Sequence, residues 1–477
     1  MRFFSSRLRP VHLGPYPNER LARTATVPPL DAVPPMRALR YDSDDPHSLV
    51  HAMARYAAMF DLVRDGPVNP LPAEVPADAA ERRRHLLAAA GYFDATMAAA
   101  CVLPRAALLA EPVRNAQVAA LGEELERSQP KSFAAGLDMI LADVIDAART
   151  EHGPVAHHSH ALVLLVEHPR DPRPGEPGCE WLHGAQAHRA ALLASQTAVL
   201  LATYLRMLGH EARAHSASCS EVDLGRLAVA AGLVQADGTQ PWLGRRYGLA
   251  AVSTTFALEA DLPLAPRQPR RRTHGPAWWA GVSEDNPLRW PGHGTAKGRW
   301  QGDPYARREF RAGPWPFETL PRRDEPTTFI DHARVPRFPK RADFFARALF
   351  GDLGPAVQEG AKNAHYVMKS PIGACARRAL GALLLLQFGE ARGPAAPGTD
   401  DPVRNADALK AASYFMGADA VGLCAVPEWA WYSHDAGGQP LPAYHANAVN
   451  LLLDQGHETM EGASGDDWIS VAQSMRA

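Results

Sequence analysis

A short aromatic segment late in the sequence contains the side chain with the clearest capacity for proton chemistry. The octet PEWAWYSH, Pro427 to His434, contains two tryptophans, a tyrosine, a serine and a histidine. Tyr432 carries a phenol, a group whose unperturbed pKa is about 10 and which therefore keeps its proton at neutral pH. It can still donate that proton to a developing carbanion when a nearby cation stabilises the phenolate. The octet therefore contains, in Tyr432, a side chain whose chemistry suits proton donation.

The other rings of the octet are candidates for binding. Trp429 and Trp431 carry large rigid rings that could wall an apolar pocket, and His434 is a third pocket candidate. The alternative is that Tyr432 and its neighbours are ordinary core aromatics at the end of a strand. The residue types alone leave both interpretations open.

Metal ligands give weaker signals. The cluster AHHSH contains His157, His158 and His160, but no carboxylate or cysteine lies at a recognised spacing from them. We interpret it as a solvated or satisfied loop before a strand and predict no metal site. The five cysteines form no C-x-x-C unit, so neither a disulfide framework, a zinc knuckle nor an iron–sulfur cluster can be assigned.

An internal repeat organises the elements that must position these residues. The stretch AAGYFDATMAAACVLP, from Ala89, matches AASYFMGADAVGLCAVP, from Ala411, with one residue inserted, and both predict a helix followed by a short strand. Further on, residues 161–190 align with residues 448–477 without a gap and with ten identities. The apolar runs LVLLV and AVNLLL predict a buried strand in each copy. We therefore interpret the chain as two copies of one unit.

Copy one continues into elements that copy two does not contain. We predict an amphipathic helix that Gly209 ends as a C-terminal cap, a strand EARAH, a helix begun by a capping box from Ser218 to Glu221, and a strand within YGLAAVSTTFALEADLPL. The predicted apolar face of the first helix is Leu193, Leu200, Leu201, Tyr204 and Leu208. Because a half-built sheet leaves strand edges uncovered, we expect the sequence to be the N-terminal portion of a longer protein.

Composition bounds the function classes. Lysine and arginine (50) nearly cancel aspartate and glutamate (52), which argues against nucleic acid or an anionic membrane as a partner. We read Arg267 to Arg272 as a solvated linker. The apolar run from Ala379 to Leu386 is short of the roughly 20 residues of a membrane helix and predicts a core helix. The first residues lack a secretory signal pattern, so we expect a cytoplasmic protein.

Several stretches of the sequence resemble corrinoid-dependent reductive dehalogenases and the related epoxyqueuosine reductases. In copy one they are YLRMLGHEARAH, LGRLAVAAGLV and RYGLAAVSTTFALEADLPL. Copy two contains the preceding part of the same domain in LKAASYFMGADAVGL, PEWAWYSH and AYHANAVNLLL. The resemblance spans residues 85–264 and 407–477. The chain looks like a cytoplasmic, non-respiratory reductive dehalogenase with a degenerate duplicate before its corrinoid-binding domain.

The resemblance implies an α+β fold and a specific chemistry. It implies nitroreductase-like domains, a bound cobalamin, and two [4Fe–4S] clusters expected only in a part that follows this sequence. The implied reaction is reductive cleavage of the carbon–halogen bond of a small, aromatic organohalide, with electrons from an external ferredoxin or flavoprotein-like reductase. Tyr432 matches the family's proton-donating tyrosine, and the lysine that assists it there would lie beyond Ala477.

We thus predict four regions in the chain. They are an irregular N-terminal segment (1–80), a degenerate nitroreductase-like repeat (81–264), a Trp- and Pro-rich connector with helices (265–405), and the first, incomplete half of a corrinoid-binding nitroreductase-like domain (406–477). We expect the connector to bury its aromatic residues against both copies. Cys424 aligns with Cys101, which favours small apolar packing over reactivity for Cys424.

Copy one departs from the family pattern. Arg105 to Leu109 stand where copy two has Glu428 to Tyr432, and no cysteine motif follows DLPL. We expect copy one to be a scaffold and the isolated chain to be inactive. Two alternatives remain open: a non-catalytic corrinoid-binding or interaction module, and a reductase of a modified nucleoside, which the neutral charge balance disfavours.

Overall fold

The computed structural model describes residues 21–127, 137–149, 153–168, 171, 174, 179–241, 243–266, 321, 323, 328–362, 371–387, 399–418 and 420–453. The α-helices in these ranges are α1 (Val50–Leu62), α2 (Ala79–Tyr92), α3 (Gln117–Arg127), α4 (Leu137–Arg149), α5 (Cys179–Leu182), α6 (Ala185–Met207), α7 (Leu224–Ala230), α8 (Phe344–Phe350), α9 (Pro355–Lys362), α10 (Pro371–Gly381) and α11 (Pro402–Met416). The strands are β1 (Met97–Val102), β2 (Leu108–Val113), β3 (His160–Glu167), β4 (Ala212–His215), β5 (Ser220–Val222), β6 (Tyr247–Thr254), β7 (Ala420–Ala425) and β8 (Asn447–Leu452). The α+β class is confirmed.

A four-stranded antiparallel sheet forms the centre of the first copy. Its strand order is β1-β3-β6-β4. Side chains of β3 alternate between two cores, with Leu162 and Leu164 in one and Val163 and Leu165 in the other. Because successive side chains of a strand point to opposite faces, an apolar run of this kind requires a cover on both sides.

Helix α6 covers one face of this sheet. The prediction of an amphipathic helix is wrong in one respect, since α6 is buried on nearly all sides. The reason is that α1, α2 and α10 pack around it, so it has no broad solvent face. Gly209 follows the helix with φ of 93°, as predicted for a C-terminal cap. Gly248 of β6 lies so close to the backbone of Ala190 and Ala191 that a side chain there would clash.

Within the described residues, α6 has the length and apolar composition of a membrane span. However, 83% of its apolar window is buried inside the fold, so this is weak evidence for a membrane-crossing segment.

Helix α7 covers the other face of the sheet, but the predicted capping box does not form. Residues 220–222 are strand β5, which pairs with β2, and the N-cap of α7 is Asp223. Its carboxylate accepts a hydrogen bond of 2.9 Å from the backbone N–H of Arg226. Glu221 is unavailable for capping because it is bound elsewhere.

A buried ionic cluster holds Glu221. The guanidinium of Arg64 donates two hydrogen bonds to its carboxylate, of 2.7 Å and 2.5 Å, and Arg114 donates a third of 2.8 Å. His215 Nδ1 lies 3.3 Å from the same carboxylate. Burial would raise the pKa of Glu221, but the hydrogen bonds from Arg64 and His215 outweigh it and lower this pKa. The cluster therefore fixes β5 against the segment after α1.

Equivalent pieces of the two aligned copies have the same local structure. In both, a helix leads through one left-handed residue, Asp94 or Gly417, into a strand. The following antiparallel pairs also share their register. Cys101 of β1 faces Ala161 of β3, and Cys424 of β7 faces Ala448 of β8, as the alignment of the copies requires.

Copy two packs against copy one through its helix. Tyr414 and Phe415 of α11 are buried in the same core as Tyr92 and Phe93, the residues that align with them. The guanidinium of Arg189 on α6 lies 5.5 Å from the centre of the Phe415 ring. The aromatic pair at the end of each helix therefore anchors both copies in one core.

Three expectations about the flanking regions need correction. Residues 1–80 are not irregular throughout, because α1 buries Val50, Met53 and Phe60. The apolar run 379–386 is split, since α10 ends at Gly381 and a 3₁₀ helix follows. The expected burial of the connector aromatics is also wrong for five described phenylalanines, because the described part of the fold offers no apolar surface over them. These exposed residues are Phe329, Phe338, Phe344, Phe345 and Phe350.

Several expectations lie outside the described residues. They are the connector tryptophans, the basic run 267–272, and the part of the second aligned segment that follows residue 453.

Candidate functional site

The octet begins with a short 3₁₀ helix that both copies share. Pro427 is extended and precedes the 3₁₀ helix Glu428–Ala430, as Pro104 precedes Arg105–Ala107 in copy one. Trp431 then returns to extended backbone with φ of −87° and ψ of 137°. Proline fixes φ near the value that such a turn needs. The turn thus delivers Tyr432 onto an extended segment at the end of β7.

The connector lies alongside this extended segment and fixes it by backbone hydrogen bonds. The N–H of Ser433 donates to the carbonyl of Phe338 at 2.8 Å. The N–H of Lys340 donates to the carbonyl of His434, also at 2.8 Å. Residues 338–340 are therefore held at a defined position beside the octet.

The guanidinium of Arg337 adds a second clamp. Its Nη2 donates to the carbonyls of Tyr432 at 2.7 Å and Leu441 at 2.6 Å. Its Nε also reaches the carbonyl of Trp431 at 3.4 Å. Because guanidinium presents several donors in a rigid plane, Arg337 joins both arms of the loop that carries Tyr432.

The phenol of Tyr432 belongs to a three-residue polar group. Its hydroxyl donates a hydrogen bond of 2.8 Å to Asp343 Oδ2. Lys340 Nζ lies 3.3 Å from the same hydroxyl, 3.2 Å from Asp343 Oδ2 and 4.6 Å from the centre of the Tyr432 ring. We call Tyr432, Lys340 and Asp343 the phenol triad. It places a cation and an anion on one phenolic oxygen.

The charges of the triad reinforce each other. The hydrogen bond from Tyr432 is the largest of the effects that lower the pKa of Asp343. Burial would lower the pKa of Lys340, but its hydrogen bonds to Tyr432 and Asp343 outweigh that and raise it. The ammonium of Lys340 and the carboxylate of Asp343 are therefore both stabilised beside the Tyr432 hydroxyl.

Asp343 is also fixed by a structural role. It is the N-cap of α8, where its Oδ1 accepts a hydrogen bond of 2.8 Å from the N–H of Phe345. One carboxylate oxygen thus caps a helix while the other accepts the phenol. The helix start therefore sets the position of the Tyr432 hydroxyl.

The other octet candidates contact separate partners. Trp429 Nε1 donates to His332 Nδ1 at 2.7 Å, whereas the ring of Trp431 lies 5.0 Å from that of Tyr444. Both tryptophans are half-buried, and Tyr432, 37% exposed, faces solvent in part. His434 is exposed and its Nδ1 lies 3.0 Å from Ser433 Oγ. The interpretation of the octet as fully buried core is therefore wrong for Tyr432 and His434.

Sequence reasoning missed Lys340, Asp343 and Arg337. Asp343 does carry a local signal, since an aspartate before FFARALF with Gly351 after it is typical of a capped helix. Lys340 and Arg337 lie 92 and 94 residues from their octet partners, and no local pattern connects residues so distant.

The histidine cluster is less isolated than its sequence suggested. His158 is buried and Glu211, from the turn before β4, lies beside both His157 and His158. Folding brings this carboxylate from 54 residues away, a separation that matches no recognised ligand spacing in the sequence. His160 instead begins β3 and contacts Ser159.

The apolar packing expected for Cys424 is found at its counterpart Cys101 but not at Cys424 itself. Cys101 is buried in the core under α7, whereas Cys424 is exposed and accepts a hydrogen bond of 3.4 Å from Asn450 Nδ2. The difference arises because no helix equivalent to α7 covers β7 among the described residues.

Comparison with known proteins gives matches among solved structures. No family model and no curated protein matches the chain. The chain is 36% identical to the catabolic reductive dehalogenase NpRdhA, with a TM-score of 0.74, over 100% of this chain and 61% of that one. A reductive dehalogenase structure described as suggesting a mechanism for B12-dependent dehalogenation matches at 36% identity and a TM-score of 0.73, with the same coverage.

A third structure is NpRdhA in complex with 3-bromo-4-hydroxybenzoic acid, at 36% identity and a TM-score of 0.72, again over 100% of this chain and 61% of that chain. The chain therefore resembles reductive dehalogenase structures along its whole length and spans 61% of the length of these proteins.

Proposed function

We propose that this chain is part of a cobalamin-dependent reductive dehalogenase, an oxidoreductase that replaces the halogen of an aromatic organohalide with hydrogen. The observation that carries the proposal is the match to reductive dehalogenase structures over 100% of the chain at 36% identity. The complex of NpRdhA with 3-bromo-4-hydroxybenzoic acid supports a small halogenated aromatic acid or phenol as substrate.

The proposed organisation has two copies of a nitroreductase-like unit. Residues 81–264 form the degenerate first copy, residues 265–405 the connector, and residues 406–477 the first part of the second, after an N-terminal segment of residues 1–80. The shared register of Cys101 with Ala161 and of Cys424 with Ala448 supports the duplication. In this division the first copy is a scaffold, and the second carries the chemistry.

The exposed faces of β8 support a further segment that completes the second copy. Leu164 and Leu165 of β3 are fully buried, whereas the aligned Leu451 and Leu452 of β8 are 57% and 58% exposed. In copy one β6 pairs with the second edge of β3, and α7 covers its face. Exposed apolar strand edges attract pairing partners. We infer that a following part of the enzyme supplies both covers.

The surface around the octet has the chemical character that a corrinoid requires. Cobalamin is a large macrocycle with apolar faces and a rim of amide groups. Val449 and Leu451 of β8 and Tyr444 are exposed, and the half-buried Trp431, next to Tyr432 in the chain, contacts the Tyr444 ring. These residues, with Trp429 and His434 as the remaining pocket candidates, would hold the cofactor or the substrate ring. When bound, cobalamin supplies the low-valent cobalt that reduces the carbon–halogen bond.

The chain's own contribution is the proton. Replacing a halogen by hydrogen consumes two electrons and one proton and releases halide. The hydroxyl of Tyr432 is the proton donor to the carbon that loses the halogen. Lys340, an ammonium within 3.3 Å, stabilises the resulting phenolate and can return a proton to it, beside the lysine that the resemblance places after Ala477. Asp343 orients the hydroxyl in the resting state.

The remaining requirements lie with other parts and partners. Two [4Fe–4S] clusters in the part that follows would pass electrons from an external ferredoxin or flavoprotein-like reductase. We propose a cytoplasmic enzyme that uses neither nucleic acid nor a membrane as a partner. The isolated chain would be inactive, because the clusters and the completed second copy are needed for turnover.

The test compares two proteins: the present chain by itself, and the same chain extended to the length of the matched dehalogenases. Each is incubated under anoxic conditions with cobalamin, a strong reductant and 3-bromo-4-hydroxybenzoic acid, and bromide is measured. We expect cobalamin-dependent bromide release by the extended enzyme and none by the chain alone. Cobalamin binding by the extended enzyme without bromide release would favour a non-catalytic corrinoid-binding module. No cobalamin binding would refute the proposal.

A further inference from the structure

Three potential metal ligands meet at one end of the four-stranded sheet, away from the octet. His157 Nε2 is in hydrogen-bond contact with Glu211 Oε2, and His158 Nε2 lies 3.7 Å from the same oxygen. One ligand atom from each residue lies within 4.8 Å of the other two. Ligands of a tetrahedral zinc ion at about 2.0–2.2 Å from the metal are about 3.3–3.6 Å apart, so small rotations of these three side chains would bring their ligand atoms to that spacing.

The backbone under these side chains is fixed by the end of β6. The N–H of Ser159 donates to the carbonyl of Thr254 at 3.0 Å, which holds the histidine segment. The carbonyl of Glu211 accepts from the N–H of Thr255 at 3.0 Å and from Thr254 Oγ1 at 2.6 Å. Both ligand-bearing loops are thus tied to the last residue of β6 or to the residue that follows it, which is the rigid support that a binding site needs.

The second ring nitrogen of His158 has its own partner. His158 Nδ1 lies 2.7 Å from Ser253 Oγ, which also contacts His215 Nε2 at 2.8 Å, and both contacts are buried. Metal-bound histidines almost always engage their other ring nitrogen in this way, which fixes the ring orientation. The contact with Ser253 leaves His158 Nε2 on the side of Glu211.

The charges around the cluster suit a cation. Glu211 brings a carboxylate to the two imidazoles, and the guanidinium of Arg213 is paired with Asp65 at 2.5 Å.

We propose that His157, His158 and Glu211 form a binding site for a divalent transition-metal ion, with zinc as the best match. Two imidazoles and one carboxylate are a common three-ligand set for zinc, and a fourth position stays open for water. The side chains of His157 and Glu211 are 56% and 53% exposed, so a metal ion can reach the site from solvent. Bound zinc would join the loop before β3 to the turn between α6 and β4.

The experiment is a calorimetric titration of the tag-free, chelator-washed full chain with zinc chloride. We expect one equivalent to bind, and His157→Ala and Glu211→Gln each to weaken binding at least tenfold. His160→Ala is the matched control, because His160 is in the same cluster but contacts Ser159 instead. It should leave the zinc affinity within twofold.

Both test positions are more than half exposed, so the variants should fold, and their melting temperatures without zinc should match that of the unmodified chain. Zinc should raise the melting temperatures of the unmodified chain and of His160→Ala, but not those of His157→Ala and Glu211→Gln. The proposal is overturned if zinc does not bind stoichiometrically. It is equally overturned if His160→Ala weakens binding as much as the two ligand variants do.

Discussion

Lys340 should assist proton transfer from Tyr432, and its loss should slow the reaction without unfolding the site. The change to test is Lys340→Met, which keeps the length and apolar stem of the side chain and removes its charge. The backbone hydrogen bond from residue 340 to His434 is retained, because it involves only the main-chain N–H. The extended segment that carries Tyr432 should therefore keep its position.

The size of the effect follows from the distance. A full charge pair separated by the 3.3 Å between Lys340 Nζ and the Tyr432 hydroxyl interacts by about 1.3 kcal/mol in a medium as polar as water, and by about 5 kcal/mol at an effective dielectric constant of about 20. Tyr432 is 37% exposed, so the lower figure applies. A loss of about 1.4 kcal/mol is tenfold in rate. The Asp343 carboxylate, left without its cation, opposes the phenolate further.

The assay is the rate of bromide release by the extended enzyme at saturating substrate. We expect Lys340→Met to lower kcat about tenfold or more, and Lys340→Arg to retain most of the rate because it keeps the charge. In a Tyr432→Phe background, Lys340→Met should have no further effect, since the group on which it acts is gone. A kcat within twofold of the unmodified enzyme, or an equal loss in both backgrounds, would refute the reasoning.

Three further outcomes are expected. Glu221→Gln should lower the free energy of unfolding by about 3–5 kcal/mol, because it leaves Arg64 buried without its carboxylate, whereas Glu111→Gln at an exposed position should change little; chemical denaturation measures both. The pKa of Glu221 is lowered in the folded state, so its contribution to stability is complete above its unfolded pKa of about 4.3 and is lost as the pH falls from there towards the folded pKa. Glu221→Gln should therefore make the melting temperature, recorded by circular dichroism, depend less on pH in the acid range. Cys424 should react with a thiol reagent in the native chain while the buried Cys101, Cys219 and Cys375 do not, and it should be protected in the extended enzyme; equal reactivity in both would contradict a cover over β7 and β8.

Local apolar patterns were sufficient to predict the main helices and strands of the two aligned units. The strands at LVLLV and AVNLLL, the helix that ends before Gly209 and the paired helix–strand units of the two copies all follow from periodicity and cap residues. The alignment of the two segments agrees with the register of β7 with β8, because Cys424 and Ala448 occupy the places of Cys101 and Ala161; the sequence analysis predicted the strands and not their pairing.

The errors arose where a distant contact overrides a local pattern. Ser218 and Glu221 have the spacing of a capping box, but Arg64, 157 residues away, binds the Glu221 carboxylate and leaves Asp223 to cap α7. The phenol triad was missed for the same reason, since Lys340 and Asp343 come from the connector. Such contacts depend on the folded topology, which one sequence does not display.

The most direct test of the account replaces Tyr432 in the extended enzyme by phenylalanine and measures cobalamin content and bromide release in the same preparation. Tyr56→Phe is the matched control, since Tyr56 of α1 is 40% exposed and lies outside the octet. We predict full cobalamin content in both variants, a loss of at least about 100-fold in bromide release for Tyr432→Phe, and an unchanged rate for Tyr56→Phe. Undiminished release by Tyr432→Phe would contradict the assignment of Tyr432 as the proton donor.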